Sequence, residues 1–231
     1  MMKKYIWLMA CLVALSPLSA NAAKKQAKNK KAKTELWPDG TKMDAWFGNI
    51  QKVNVDTLGK KYVITDYGVK GDSTLIQTQA IQAVIDRASQ EGGGVIVIPQ
   101  GTYQSGALFF RPKTHLYVSE GGKLKGSDRI ANFPVLETRI EGETCKYFSA
   151  FINADKCDGF TIAGPGTIDG NGHHYWEEFW FRRTWNRQCT NKDAQRPRLV
   201  YICNSKNVTL QDVHIQNSPF WTNHIYRCDH V

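Results

Sequence analysis

Two hydrophobic rhythms divide the chain. Between Thr74 and Ala88 the apolar residues Ala80, Ile81, Val84, Ile85 and Ala88 fall on one helical face, with Gln77, Gln82 and Asp86 opposite. The spacing predicts a helix over Thr74–Ala88, capped by Asp72 or Ser73 and ended by Gly92-Gly93-Gly94. The next run, Val95-Ile96-Val97-Ile98, is continuously apolar and predicts a strand closed by Pro99-Gln100-Gly101. From there to the end the rhythm is short strand, turn, short strand: ALFF, HLYV, KLKG, AFINA, FTIAG, GTIDG, LVYI, VTLQDVHI and HIYR. Glycine, asparagine, proline or aspartate separates most of them.

Strands this short cannot bury a face alone. Ile202, Ser205, Asn207 and Val208 align with Ile225, Cys228, His230 and Val231 at a constant offset of 23 residues (202 to 225, 208 to 231). A period of that length predicts coils stacked along an axis, each covering its neighbour's core. Val208, Leu210, Val213 and Ile215 are then the inward positions, and the fold class is all-β, a parallel β-helix with an N-terminal capping helix. The rival is an antiparallel sandwich. Against it, Asn-Gly and Asp-Gly hairpin turns are scarce, and the one good match, Asp169-Gly170-Asn171-Gly172, runs into an aromatic block.

That block, His173 to Pro197, breaks the 23-residue rhythm and is therefore an excursion from a coil. Tyr175, Trp176, Phe179 and Trp180 lie at helical spacing, which predicts a short amphipathic helix packed outside the solenoid. The alternative has Trp185, or one of those rings, lining a sugar site.

The first residues change how the composition is read. Met1-Met2-Lys3-Lys4, the apolar run Tyr5 to Leu15 and Ala20-Asn21-Ala22 form the three regions of a secretory signal peptide over residues 1–22, too short for a membrane span. A lipoprotein leader cleaved before Cys11 is the weaker reading, because it leaves only Tyr5 to Ala10 as apolar region. Residues 23–33, rich in Lys, Ala, Asn and Gln, read as a basic disordered linker. Residues 34–231 read as the N-terminal part of a β-helix domain. The second copy of the repeat stops at Val231 where the first continues Thr209-Leu210, so further coils are expected beyond it. Residues 1–33 hold eight lysines and no acid, so the formal charge of +9 shrinks to +1, the remaining 22 bases facing 21 acids. A domain so balanced gives no electrostatic support to a nucleic-acid partner. No later stretch predicts a membrane span, and an exported protein, periplasmic or secreted, is expected.

Six cysteines become five without Cys11. Cys157, Ser205 and Cys228 occupy equivalent positions and form one column if the coils stack. Two layers separate Cys157 from Cys228, roughly 9 Å at the β spacing, beyond the ~7 Å that a disulfide spans. Packed thiols are expected, not a disulfide framework.

Two blocks carry a family resemblance. Val63 to Tyr103 (VITDYGVKGDSTLIQTQAIQAVIDRASQEGGGVIVIPQGTY) resembles the opening of many right-handed, pectin-lyase-like β-helices. GPGTIDGNG (164–172), the aromatic excursion, then RPRLVYICNSKNVTLQDVHIQNSPFW (196–221) resembles glycoside hydrolase family 28, the polygalacturonase and rhamnogalacturonan hydrolase family. Asn217-Ser218-Pro219-x-Trp221 followed by His224 is similar to its bacterial exo-acting branch. The resemblance implies hydrolysis of α-1,4-galacturonosyl linkages in an acidic plant polysaccharide such as pectin, without a cofactor or metal. It assigns Trp221 and His224 to substrate binding. Family members carry their catalytic carboxylates in an Asn-Thr-Asp motif and an Asp-Asp pair, supported by Gly-His-Gly and Arg-Ile-Lys. None of the four occurs in this sequence, and Asn-Thr-Asp is expected about one coil beyond Val231.

The residues themselves offer no replacement. Inverting glycosidases need an acid and a base ~6.5–9.5 Å apart. Glu177 and Glu178 are helix neighbours pointing about 100° apart, Asp169 reads as a turn-stabilising side chain, and Asp212 and Asp229 are single turn carboxylates. No catalytic residue is assigned. His173-His174 diverge and lack a third ligand, so no zinc site is expected. Arg182, Arg183, Arg187, Arg196 and Arg198 could grip substrate carboxylates, but a solvated surface is expected for most. The expected function is an exported pectin-degrading hydrolase without its catalytic coils, this chain alone being inactive. A non-catalytic carbohydrate-binding β-helix is the alternative. A polysaccharide lyase, which needs a Ca²⁺-binding carboxylate cluster, ranks last.

Overall fold

The computed structural model describes residues 36–44, 47 and 51–231. The expected leader (1–22) and linker (23–33) lie outside the described residues. The chain divides into two compact units, 1–51 and 52–231. In the first, Leu36 bridges Lys42 antiparallel, Asp39 accepts from the Thr41 amide and hydroxyl, and Trp37 meets Phe47 edge-on at 4.9 Å.

The second unit is a parallel β-helix. Its strands are β1 (Lys61–Val63), β2 (Gly94–Ile98), β3 (Gly101–Ser105), β4 (Leu108–Phe110), β5 (Thr114–Val118), β6 (Gly122–Gly126), β7 (Val135–Ile140), β8 (Glu143–Phe148), β9 (Ile152–Asp155), β10 (Thr161–Ala163), β11 (Thr167–Asp169), β12 (Val200–Cys203), β13 (Thr209–Gln211), β14 (His214–Gln216) and β15 (Asn223–Tyr226). Three parallel sheets run along the axis: β1-β2-β5-β10-β13, β3-β6-β11-β14 and β4-β9-β12-β15. From β2 onward each coil contributes one strand to each sheet in turn, β1 standing alone before them. The register confirms the 23-residue step, with Ile202 opposite Ile225 and Lys206 bridging Asp229.

Inward ladders make the core. Ile96, Leu116 and Ile162 stack in the first sheet, Tyr103, Leu124 and Ile168 in the second, and Leu108, Ile152 and Val200 in the third, all essentially buried. Each such aliphatic chain is worth ~1.5–3 kcal/mol removed from water. Leu210, Val213 and Ile215 pack on the core from the last coil and remain half-buried. The small-residue column also forms: the Cys157 amide donates to Ser205 Oγ at 2.9 Å, and Cys228 Sγ reaches the Ile202 carbonyl at 3.6 Å. The five cysteines among the described residues are free thiols.

The helix α1 spans Thr78–Gln90 and buries Ile81, Val84, Ile85 and Ala88 against the first coil. Its start lies four residues later than the periodicity predicts, and neither Asp72 nor Ser73 caps it. Asp72 instead accepts from the Thr74 amide and hydroxyl, while Ile76 bridges Gln104 and the Gln77 amide bonds the Gln104 carbonyl. Sheet pairing claims the residues that would have made the first turn. Glycines do end the helix: Gly93 donates to the Ala88 carbonyl and Gly94 enters β2 at φ 144°. A Cβ there would meet the Lys60 carbonyl at 2.3 Å, so only glycine fits.

Two coils carry long insertions, both between the second and third sheets. One is the antiparallel hairpin β7–β8, whose two-residue turn, Glu141-Gly142, has positive φ at both positions (48° and 83°). The other begins with α2 (His173–Trp185), which buries Tyr175 and Phe179 while Trp180, Phe181 and Trp185 stay exposed. The strand rhythm predicts neither the hairpin nor the strands β1 and β3.

Candidate functional site

Strand alternation gives the third sheet an outward face. Phe109, Asn153, Tyr201 and His224 form one row across β4, β9, β12 and β15, and Asp155, Cys203 and Tyr226 form a second. The insertions wall one flank. Their tips hold each other: Lys192 Nζ meets Glu143 at 2.5 Å, Asn191 Nδ2 donates to Glu141 at 2.6 Å, and Tyr147 Oη bonds the Ala194 carbonyl. A cavity of about 440 Å³ opens over this face, with Phe109, Asn153, Asp155 and Tyr201 on its floor and Leu136 and Glu137 of the hairpin at its side.

Arg198 organises the floor. It is the largest fully buried side chain, and its guanidinium lies 4.1 Å from the Tyr201 ring centre. Nη2 donates to Thr138 Oγ1 at 2.8 Å and Nη1 to the Arg139 carbonyl at 3.2 Å, both on the hairpin. Nη1 also lies 2.8 Å from His224 Nδ1. An arginine can only donate, so His224 Nδ1 accepts and the ring's proton sits on Nε2. Burial, then the Arg198 charge, push the imidazole down to about 4, so it is neutral near pH 7. Burial likewise pushes the Tyr201 hydroxyl up to about 12 and pulls the Arg198 guanidinium below its ordinary value. Arg198 has no carboxylate partner among the described residues, and its Nε makes no hydrogen bond.

The predicted pair, Trp221 and His224, comes together: the rings meet edge-on at 4.8 Å. Phe220 stacks on Trp221 at 5.0 Å. Arg196 is pressed between Phe179 at 3.9 Å and Phe220 at 4.6 Å, tying α2 to the Trp221 corner. The expectation of a solvated arginine surface therefore fails for Arg196 and Arg198, which are both buried, and holds for the exposed Arg183 and Arg187. Sequence reasoning missed the roles of Arg198, Tyr201 and Thr138. The available signal was the position of Arg198 directly before the apolar strand Leu199-Val200.

Other candidates stay apart from this face. Asp169 points outward from the second sheet. Burial alone would raise its pKa, but bonds from Gln216 Nε2, the Asn171 amide and Asn217 Nδ2 outweigh it and hold the carboxyl below its ordinary value. It is a turn-stabilising side chain. Glu177 and Glu178 are exposed and pair along α2 with His173 and Arg182. Among the described residues no group of three or more His, Cys, Asp or Glu is placed to hold a metal ion. No helix among them is long and apolar enough to cross a membrane.

The sequence profile of Glycosyl hydrolases family 28 matches residues 96–231. The chain belongs to this family. A second profile, Rhamnogalacturonase A/epimerase, pectate lyase-like, matches residues 62–121. Among family relatives, the chain is 30% identical over 182 residues to an exo-poly-alpha-D-galacturonosidase of Dickeya chrysanthemi, covering 74% of this chain and 28% of that protein. Among solved structures, it resembles a polygalacturonase from Erwinia carotovora (27% identity, TM-score 0.51, covering 64% of this chain and 41% of the other). It also shares its fold with a hyperthermoactive exopolygalacturonase from Thermotoga maritima (23% identity, TM-score 0.63, covering 74% and 45%). The chain spans less than half the length of the curated relatives it matches.

Proposed function

We propose that the protein is an exported pectin-degrading hydrolase of the polygalacturonase type, and that the face built on Tyr201, Trp221 and His224 binds a galacturonide chain. The observation that carries this is the buried Arg198 guanidinium, uncompensated by any carboxylate among the described residues, packed on the buried Tyr201 ring and bonded to the half-buried His224, with the half-buried Trp221 ring alongside. Such a floor favours an anionic sugar: the rings offer apolar surface to its pyranose faces, and the field of Arg198 favours its carboxylates. His224 Nε2–H is the donor that the tautomer leaves free for a substrate oxygen. Trp221 supplies the stacking face beside it.

Hydrolysis needs an acid to protonate the leaving oxygen and a base to activate water. The outward strand positions of the third sheet offer Asp155 alone as a carboxylate, and its Oδ1 already accepts from Asn204 Nδ2 at 2.7 Å. The acid and base belong, on this proposal, to coils stacked beyond β15. Each missing proton transfer is worth ~10²–10⁴ in rate. The test combines calorimetric binding of trigalacturonate with a reducing-sugar assay on polygalacturonate. An equivalent of binding that is lost in W221A, with no sugar release above a heat-killed control, is expected. Hydrolysis abolished by D155N or D169N would overturn the placement of the catalytic pair, and absence of binding would overturn the substrate face.

A further inference from the structure

The second sheet carries its own cavity, separate from the face just described. Its outward rows are Thr102, Lys123, Thr167 and His214, and Gln104, Lys125, Asp169 and Gln216. Helix α2 and the corner at Asn217 close over these rows to leave a cavity of about 450 Å³, lined by Lys123, Lys125, Asp169, Asn171 and Trp176.

Charge in this cavity is unbalanced in one direction. Lys123 and Lys125 are two apart on one strand, so both ammonium groups rise from the same face, about 7 Å apart at the backbone. Both are half-buried, and neither forms an ion pair with a carboxylate among the described residues. Asp169 is the cavity's one carboxylate; it feels the Lys123 charge, but its two oxygens are already taken by three donors from the protein. The first turn of α2 also opens here. Its N-cap, Gly172, offers no side chain, and no acidic residue follows in that turn. The helix end adds partial positive charge in the same direction. Beside these groups, Trp176 is fixed by its Nε1–H bond to the Ser218 carbonyl at 2.8 Å and gives the cavity an aromatic wall.

We infer that this cavity is a second carbohydrate subsite, which takes a carboxylate-bearing sugar residue between Lys123 and Lys125 with its ring against Trp176. The inference rests on the proposed galacturonide substrate. Two lysines placed for a carboxylate, beside a rigid indole, suit a uronate residue better than a small inorganic ion, which would leave the aromatic wall unused. The α2 excursion stands between the two sites, so a polymer chain bound at one is not bound at the other by the same residue. The second site would hold the protein on an acidic polysaccharide while the first engages a chain.

Calorimetric titration with trigalacturonate tests this. The wild-type protein is expected to bind two equivalents. K123Q/K125Q should lose one, through at least about tenfold weaker binding, or 1.4 kcal/mol, and keep the equivalent that W221A removes. K123R/K125R, which keeps the charge, should restore the second. An unchanged stoichiometry in K123Q/K125Q overturns the inference and leaves the proposed function standing. Full displacement of that equivalent by sulfate at matched ionic strength, with no effect of removing the indole in W176L, shows an anion hole and overturns the sugar assignment. A wild-type protein that binds no trigalacturonate overturns both readings.

Discussion

Replacing Arg198 by methionine separates the electrostatic role of the guanidinium from its packing. The substitution keeps a long apolar stem over Tyr201 and removes the charge and the three hydrogen bonds to Thr138, Arg139 and His224. Two large terms oppose each other in the folding free energy. The Arg139 carbonyl, Thr138 Oγ1 and His224 Nδ1 lose their donor, at ~1–3 kcal/mol for each buried group left unsatisfied. Against this, a buried cation without a counter-charge costs several kcal/mol in desolvation, which methionine relieves. Net stability is therefore a poor readout, and the His224 imidazole is a good one. In the native protein burial, and then Arg198, hold it at about 4 against an ordinary value of 6.5. The unfolded chain takes up the proton first, so this histidine withdraws stability as pH falls from 6.5 to 4 and has no effect above that window. The full shift corresponds to about 3 kcal/mol, and solvent at a half-buried ring reduces it to roughly 1–2 kcal/mol. In R198M the midpoint should rise but stay below 6.5, because burial, the larger cause, persists. Long-range ¹H–¹⁵N spectra recorded against pH give both the midpoint and the tautomer. A wild-type His224 that titrates near 6.5, or that carries its neutral-form proton on Nδ1, would refute the geometry.

Other expectations concern folding and export. Glu91 closes α1 onto β1 through Lys60, Tyr62 and Arg87, and these bonds hold its carboxyl down to about 2; E91Q should melt lower near pH 7, and the difference should disappear as pH falls from about 4.5 to 2. Gly94→Ala sets a Cβ against the Lys60 carbonyl at a strained φ, so thermal unfolding should show a loss of several kcal/mol. Ile162→Ala, in the centre of the inward ladder, should cost ~2–5 kcal/mol by chemical denaturation; a smaller loss would show that the coils collapse around the gap. N-terminal sequencing of the protein made in its own host should begin at Ala23, and a lipid-modified Cys11 would contradict the leader assignment.

The solenoid was legible because stacking imposes a constraint that survives in one copy of the sequence. Ile202 and Ile225 must occupy the same inward position, so the 23-residue offset appears directly in the letters. The hairpin β7–β8 obeys no such rule. It pairs only with itself, its turn is Glu141-Gly142 in place of an asparagine or aspartate turn, and Val135, Leu136 and Glu137 show no clean alternation. The start of α1 was misplaced because nothing in the local sequence marks the bridge from Ile76 to Gln104, which holds these residues out of the helix. Trp221 and His224 were reached through the family resemblance, and their contact follows from the tight corner between β14 and β15. Arg198 was misjudged for a different reason. Composition describes arginine as a surface residue, and only the arrival of the hairpin from the preceding coil supplies the carbonyl and hydroxyl that let it be buried.

That dependence explains why the walls stand where they do. A β-helix can lengthen only at its corners, because an insertion within a strand would shift every inward side chain to the outside. The corner from the third sheet to the first is kept short and uniform. Lys156, Asn204 and Arg227 turn it in the left-handed conformation in three successive coils, and Gly159, Asn207 and His230 do so again three residues later. Both insertions fall instead at the corner before the third sheet. Arg198 lies where the chain returns from the second of them. From that place it bonds backward to Thr138 and Arg139 of one coil and forward to His224 of the next. The side chain that fixes the His224 tautomer is thus supplied by the irregular part of the sequence, while the regular part fixes the outward row of Tyr201 and His224 on which it acts.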